Sequence, residues 1–478
     1  MKLFRRLLLV SVFALVLALA ACDFDIDLGN GNTDPDPADY NAEYLQEVID
    51  TVIDTHYEDL DEEALYEAAI YGIFDGIDGD PYSRYMSEEE RRQFDEGLGE
   101  EFVGVGITVQ NVDERVVIIE VFPDSPAEAA GLIPGDVVTH VDGVDKEHKT
   151  YFETVDAILG EVGTEVELGV DRPNVEDTLY FTMSRERIDN PTVTHEVFEI
   201  DDEVIGYLEI NAFGPETAGL TEEALDDLEA SGIDSLIVDV RDNSGGYLDA
   251  ARDVIDLFIP ASDQPMFTIE QQIGGETISM DYDATGDEAR PYEIVTLMNS
   301  QSASAAEIFA VAMKENAGYD VYGTPSFGKG TMQSLASLSS ESQLSVTSGR
   351  WLTPEGRWID NIQGDDPYVT PTVEVEQSDH FFAYNVYIDE PLVYDTVSEA
   401  VANVQNILSA LGYEMRTDGY YDEETVSAVE AFQAEEGLEA TGEVDEETAA
   451  ALSDALLEYR RDIENDKQFQ AAKEYLLE

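Results

Sequence analysis

Beyond Asn41 the apolar residues fall into a helical rhythm. Leu45, Val48, Ile49, Val52 and Ile53 recur at i, i+3, i+4, i+7 and i+8, which predicts an amphipathic helix with one apolar stripe. A second helix is expected from about Glu62 to Phe74, followed by the turn "DGDPYSRYM". The stripe could face a core of the same chain or form the seam of a homodimer. From about Glu100 the rhythm turns β-like: "FVGVGITVQ", "RVVIIEVF", "DVVTHVDG", "EVELGVDR" and "TLYFTMS" read as strands. Between them, "SPAEAAG" and "YFETVDAILG" read as helices. From about Val204 to Asp320 strands and helices alternate, an α/β order in which working residues gather at the carboxyl ends of the strands. Near residues 400–455 the pattern is helical again. Val404, Ile407, Leu408 and Leu411 share one face, and Asp422 and Asp445 stand as caps before two further helices. The fold class is therefore multidomain, α/β and α+β.

Length fits this division, since 478 residues exceed one ordinary core. Charge changes the picture more. The chain has 106 Asp plus Glu against 24 Lys plus Arg, a formal net charge of -82. Acidic residues are spread throughout, so nucleic acid and anionic lipid surfaces are excluded as electrostatic partners. Such a chain suits high salt, where self-repulsion is screened within about 3 Å at 1 M; a halophilic or alkaliphilic source fits best.

The first residues read as a targeting segment. "MKLFRRLLLVSVFALVLALAAC" has a basic start, an apolar run from Leu7 to Leu19, then small residues. The run is short for a membrane span of about 20 residues. It ends at Cys22, the sole cysteine, in a context that resembles a bacterial lipobox. The resemblance implies a lipidated Cys22, a membrane anchor and an extracytoplasmic protein. Residues 23–40 are acidic and rich in Gly, Asn and Pro, and read as a flexible linker. No intramolecular disulfide is possible.

Two modules carry recognisable patterns. "EFVGVGI" followed by "FPDSPAEAAGLIPGDVVTHVDG" resembles a PDZ domain, expected over residues 99–186. In the turn Val103-Gly104-Val105-Gly106, backbone N–H groups can converge on a carboxylate, and the strand opening at Ile107 can pair with an extended peptide. "LGY…DGYYDEETVSAVEAFQ…GL…TGEVDEETAAAL" resembles the three-helix peptidoglycan-binding domain, expected over 399–456 and followed by a helical tail, 457–478.

The chemistry centres on "GTPSFGKGTMQ", Gly323–Gln333. It nearly spells a P-loop, which needs Ser or Thr after the lysine and a helix opening there. Here Gly330 follows Lys329 and the next segment reads as strands, so a nucleotide site is excluded. Upstream, "VTLMNSQSASAAEIFAVAMKENAG" ends a strand near Asn299 and opens a helix near Ser304, which closes at Gly318. A serine there is ordinarily a helix cap. It also exposes its hydroxyl at the sheet's carboxyl edge, beside N–H groups able to bind an oxyanion. The five histidines are scattered outside such motifs. A lysine can act as base if burial pulls its pKa well below about 10.4.

"NSQSASAAEIFAVAMKENAGYDVYGTPSFGKGTMQ" resembles the core of the carboxyl-terminal processing peptidases, or tail-specific proteases. In that family a Ser–Lys dyad is assisted by a Gln, with the Lys 25 residues after the Ser. The resemblance implies Ser304 as nucleophile, since 329 − 25 = 304, Lys329 as base and Gln333 as the residue orienting its amine. "VDVRDNSGG", Val238–Gly246, matches the family loop whose glycine N–H builds the oxyanion hole with that of Ala305; Gly245 and Gly246 are both candidates. No metal or cofactor is implied. The expected arrangement is thus a helical N-terminal region (41–98), the PDZ domain, an α/β Ser–Lys protease core (187–398) and the peptidoglycan-binding domain. The implied activity is a serine endopeptidase acting on proteins with accessible C-terminal tails. A catalytically silent scaffold joining a PDZ module to the cell wall is the alternative.

Overall fold

The computed structural model describes residues 41–478, apart from 78, 100, 113–114, 123–124, 146–150, 161, 173–177, 201–202, 287–288, 339–341, 365, 379–382, 384–385, 387 and 389. Cys22 and the 23–40 linker lie outside the described residues. The chain divides into two units, residues 1–76 and 77–478. Described residues of the first form α1 (Ala42–Thr55) and α2 (Glu62–Asp75). Asn41 and Asp61 cap them by accepting from Tyr44 and Glu63 N–H. Only part of the α1 stripe is covered: Ile49 is buried, while Leu45, Val48 and Val52 remain about 40 % exposed.

The second unit opens with a segment read from sequence as a turn. Arg84–Met86 instead forms β1, paired antiparallel with Gln343–Ser345, and α3 (Glu88–Gly97) follows. The pairing partner is some 260 residues away, which no local pattern could reveal. Next come β2 (Glu101–Gly104), β3 (Ile107–Val112), β4 (Arg115–Val121), α4 (Pro126–Ala130), β5 (Val137–Val141), β6 (Val144–Asp145), α5 (Tyr151–Ile158), β7 (Glu165–Asp171), β8 (Leu179–Ser184) and β9 (Glu186–Asp189). The sheet order is β3-β4-β5-β7-β8, which leaves β3 at an edge. β2 pairs with β9 outside that sheet.

The largest body follows: β10 (Val193–Ile200), β11 (Glu203–Ile210), α6 (Thr217–Ala230), β12 (Ser235–Asp239), α7 (Leu248–Asp256), β13 (Phe267–Ile273), β14 (Glu276–Tyr282), β15 (Glu293–Met298), α8 (Ala305–Ala312), β16 (Asp320–Gly323), β17 (Thr331–Ser337), β18 (Gln343–Leu352) and β19 (Val373–Glu374). Its main sheet runs β10-β11-β12-β15-β16-β19, parallel from β11 onward. Alternate residues of the central strands point to opposite faces. Leu236 and Val238 join α6, α7 and α8 in one core, whereas Ile237, Val295 and Leu297 face the other side. A second sheet, β1-β18-β13-β14 with β17 on β18, lies beside the carboxyl edge.

The last elements are α9 (Glu399–Ala410), α10 (Glu423–Glu435), α11 (Glu446–Arg461) and α12 (Lys467–Leu476). Asp422 and Asp445 cap α10 and α11 as expected. Two buried glutamines repeat one device. Gln405 accepts from Gly419 N–H and donates to Thr425, while Gln433 accepts from Gly442 N–H and donates to Thr448. Each amide stitches a helix to the turn and helix that follow it. The tail helix α12 belongs to the α/β body. Phe469 stacks edgewise on Phe198 and Tyr207, covering the face opposite α6–α8. No described helix is long and apolar enough to cross a membrane.

Candidate active site

Ser304 sits between the end of β15 and the start of α8, at the carboxyl edge of the main sheet. Its backbone is strained, with φ 54° and ψ −112°, a geometry that costs a non-glycine residue on the order of 1–3 kcal/mol. Lys329 arrives from the turn between β16 and β17. Both residues line one cleft of about 380 Å³, together with Gln333, Gly246 and Ala305. Its walls are largely apolar, formed by Phe94, Leu98, Ile269, Ile308, Leu335 and Trp351. No histidine is among the described residues that line it.

A residue that the sequence reading passed over ties the site together. Glu307 is completely buried. One of its oxygens, Oε2, accepts from the backbone N–H of Ser304 at 2.7 Å and of Lys329 at 2.8 Å. The other, Oε1, accepts from Ser326 Oγ at 2.5 Å and Gly328 N–H at 2.7 Å. One carboxylate oxygen thus fixes the backbone of both residues. Burial pushes the Glu307 carboxyl upward, and the four donors pull it back. The signal was present: Ser304 and Glu307 have the S-x-x-E spacing of a capping box.

Lys329 is held below its ordinary pKa. Desolvation is the main cause and the Arg84 guanidinium the second, with Glu307 opposing both. The Tyr82 ring lies 5.0 Å from Nζ. Gln333 is close at hand on β17, and its amide nitrogen donates to Thr331 Oγ1 at 3.0 Å and Thr347 Oγ1 at 3.1 Å. Tyr82 and Arg84 come from the N-terminal segment read only as a turn; the long-range β1–β18 pairing delivers them.

The two glycine candidates separate. Gly245 N–H is engaged, donating to Asn243 Oδ1 at 2.8 Å. Gly246 lines the cleft, as does Ala305, and no hydrogen bond occupies either N–H among those of the described residues. The loop is braced from below. Arg241 pairs with Asp239 at 2.5 Å and with Asp466, the cap of α12, at 2.7 Å.

Gly330 is explained by close approach. A Cβ there would fall 1.6 Å from the Ile359 carbonyl oxygen. Trp351 Nε1 and Trp358 Nε1 donate to the carbonyls of Lys329 and Gly330, and β17 follows where a P-loop needs a helix.

Among the candidate peptide-binding residues, Val103 and Gly104 end β2, Val105 and Gly106 form the turn, and Ile107 opens the edge strand β3. Gly106 has φ 82°, and a Cβ there would lie 2.3 Å from Ser125 Cβ. No cluster of metal-ligating residues occurs among the described residues.

Comparison with known proteins gives three matching family models: peptidase family S41 over residues 204–375, a PDZ domain over 103–182 and a putative peptidoglycan-binding domain over 397–452. The carboxy-terminal processing protease CtpB of Bacillus subtilis (strain 168) is 34% identical over 429 residues, covering 90% of this chain and 87% of that protein. The chain belongs to the carboxy-terminal processing proteases of peptidase family S41. CtpA of the same organism is 32% identical over 441 residues, with 92% and 91% covered. A probable CtpA-like serine protease of Staphylococcus haemolyticus (strain JCSC1435) is 32% identical, with 85% and 80% covered. Among solved structures, the photosystem II D1 C-terminal processing protease aligns with a TM-score of 0.46 at 25% identity, covering 69% of this chain and 86% of that one. The chain is accordingly a serine-type processing protease of family S41 carrying a PDZ and a peptidoglycan-binding domain. Silence of the protease core loses its appeal beside that membership.

Proposed function

We propose that this S41 protease cleaves protein tails with a Ser304–Lys329 dyad. One observation carries the reading: a single Glu307 oxygen holds the N–H groups of both residues at one cleft. Lys329, with its pKa depressed, takes the Ser304 proton. The alkoxide adds to the scissile carbonyl, and the oxyanion forms against Gly246 and Ala305 N–H. Collapse expels the amine-side product, protonated by Lys329, and leaves an acyl-enzyme that water hydrolyses. The apolar cleft walls suit a tail with apolar side chains.

The PDZ domain captures the tail through its free carboxylate at the Val103–Gly106 turn, with the chain added to the open edge of β3. The peptidoglycan-binding domain holds the enzyme at the cell wall, and lipid on Cys22 anchors it extracytoplasmically to the outer face of the cell membrane. A tail peptide supplied as free acid and as C-terminal amide tests the mechanism and the capture together. Wild type cleaves the acid faster, and Ser304→Ala binds it without cleaving. Equal rates for acid and amide would remove the PDZ turn from recognition, and turnover by Ser304→Ala would remove the dyad. Palmitate labelling that persists in Cys22→Ser would sink the anchor.

A further inference from the structure

Gln333 can assist Lys329 in only one orientation, with its amide oxygen turned toward the cleft to accept from the amine. An amide looks alike from either end, so something must choose. The choice is made two residues and one strand away. Thr347, on β18, stands across from Gln333 in the β17–β18 pairing. Thr347 Oγ1 donates its only proton to Asp80 Oδ1 at 3.0 Å. It therefore meets Gln333 with lone pairs alone, and only the amide nitrogen can face it. Thr331 Oγ1, the second partner of that nitrogen, completes the grip.

Asp80 is built to receive. Its carboxylate also accepts from Tyr82 N–H, from Ser83 N–H and from Ser83 Oγ at 2.5 Å. Ser83 Oγ in turn accepts from Thr347 N–H at 2.8 Å. Two hydroxyl protons and two N–H groups point at one carboxylate, so Asp80 has no proton to return to Thr347. The same turn carries the Tyr82 ring over Lys329 Nζ and leads into Arg84.

We propose that Asp80 and Thr347 are positioning residues of the catalytic machinery, a relay that locks the Gln333 amide with its oxygen toward Lys329. The inference rests on the Ser304–Lys329 reading and deepens it. With the relay intact, Gln333 accepts from the amine and leaves the nitrogen lone pair free for Ser304. Without it, the amide can flip and present N–H to the amine. A flipped amide disfavours the ammonium and misdirects the lone pair. The charged groups already facing Lys329 are Arg84 on β1 and Glu307 on α8, and Glu270, Arg350 and Asp360 line a neighbouring cavity together with Asp80.

The test is kcat against pH for tail-peptide cleavage by full-length Thr347→Val, Thr347→Ser, Asp80→Ala, Gln333→Ala and the Thr347→Val/Gln333→Ala double variant. Thr347→Val should lower the plateau kcat about tenfold, the effect of one lost hydrogen bond to a polar group. It should also move the acid-limb midpoint downward. Asp80→Ala, which removes the acceptor of the Thr347 proton, should do the same, and Thr347→Ser should restore most of the loss. In the Gln333→Ala background Thr347→Val should cost nothing further, because both act on one path. A purely structural Thr347 would lower both backgrounds equally and leave the midpoint in place, which would overturn the relay. So would a Thr347→Val enzyme with wild-type kcat and midpoint. Ser304→Ala and Lys329→Ala run beside these variants: activity in either one overturns the dyad itself, whereas two inactive controls confine any failure to the relay.

Discussion

Replacing Glu307 separates a helix cap from a catalytic brace. Its four hydrogen bonds divide evenly between two oxygens, with Ser304 and Lys329 on Oε2 and Ser326 and Gly328 on Oε1. Glu307→Gln has one tolerable orientation. The new NH2 faces Ser326 Oγ, which can rotate to accept, and the amide oxygen keeps Ser304 and Lys329. The Gly328 N–H is orphaned and the Ser326 hydroxyl, which already accepts from Val369 N–H, gives up its acceptor, a loss of about 1–3 kcal/mol. Glu307→Ala leaves three buried N–H groups without acceptors and opens a void at the start of α8. Water entering the void recovers part of that cost, so about 3–5 kcal/mol is expected. The two variants should diverge further in rate. Gln preserves the oxygen shared by nucleophile and base, whereas Ala releases both, and a shift of about 1 Å at a reacting group costs about 10²-fold. Urea unfolding gives the stabilities, and peptide cleavage at a temperature where all three proteins are folded gives kcat. Glu307→Ala with stability within about 0.5 kcal/mol of wild type and undiminished kcat would refute the reasoning. So would a Gln variant less active than Ala.

Lys329 carries a stability consequence with a definite sign. Its pKa is lowered from 10.5 by desolvation first and Arg84 second. Between the folded and unfolded values the unfolded chain binds more protons, so stability rises with pH across that window and the full penalty stands below it. Lys329→Met should therefore raise the melting temperature at neutral pH, and wild type should close the gap as pH climbs toward 10.5. A Met variant less stable than wild type at neutral pH would contradict the burial argument. The net charge of -82 predicts a melting temperature that climbs between about 0.05 and 1 M salt as the Debye length falls to about 3 Å; a flat response would show that the charges are already compensated.

Local pattern made most of the architecture legible. The α/β alternation, the caps Asp422 and Asp445 and the closure of the serine helix at Gly318 were all readable, because each depends on neighbours within a turn. The structure adds that this helix ends in a π-helical turn, Met313–Ala317, before Gly318 at φ 73°. The site was readable as far as it repeats a family spacing: Ser304, Lys329 and Gln333 do share one cleft. The supporting residues were not. Asp80, Tyr82 and Arg84 reach the site through β1, whose partner strand is far along the chain. Nor did sequence separate Gly245 from Gly246, since the choice turns on where the Asn243 side chain points. The hairpin β13–β14 was likewise missed; β14 is mostly exposed, so burial imprints little alternation on it.

The Ser304–Lys329 dyad is tested most directly by cleavage of a free-acid tail peptide by wild type, Ser304→Ala and Lys329→Arg, followed from about pH 6 to 10 with folding checked by circular dichroism. Arginine keeps the positive charge and stays protonated, with a pKa above about 12, so it cannot take the serine proton. The account predicts wild-type activity that rises with pH to a midpoint below the ordinary lysine value of 10.5. It predicts no turnover by Ser304→Ala or Lys329→Arg at any pH. A folded Lys329→Arg enzyme retaining most of the wild-type rate would contradict it.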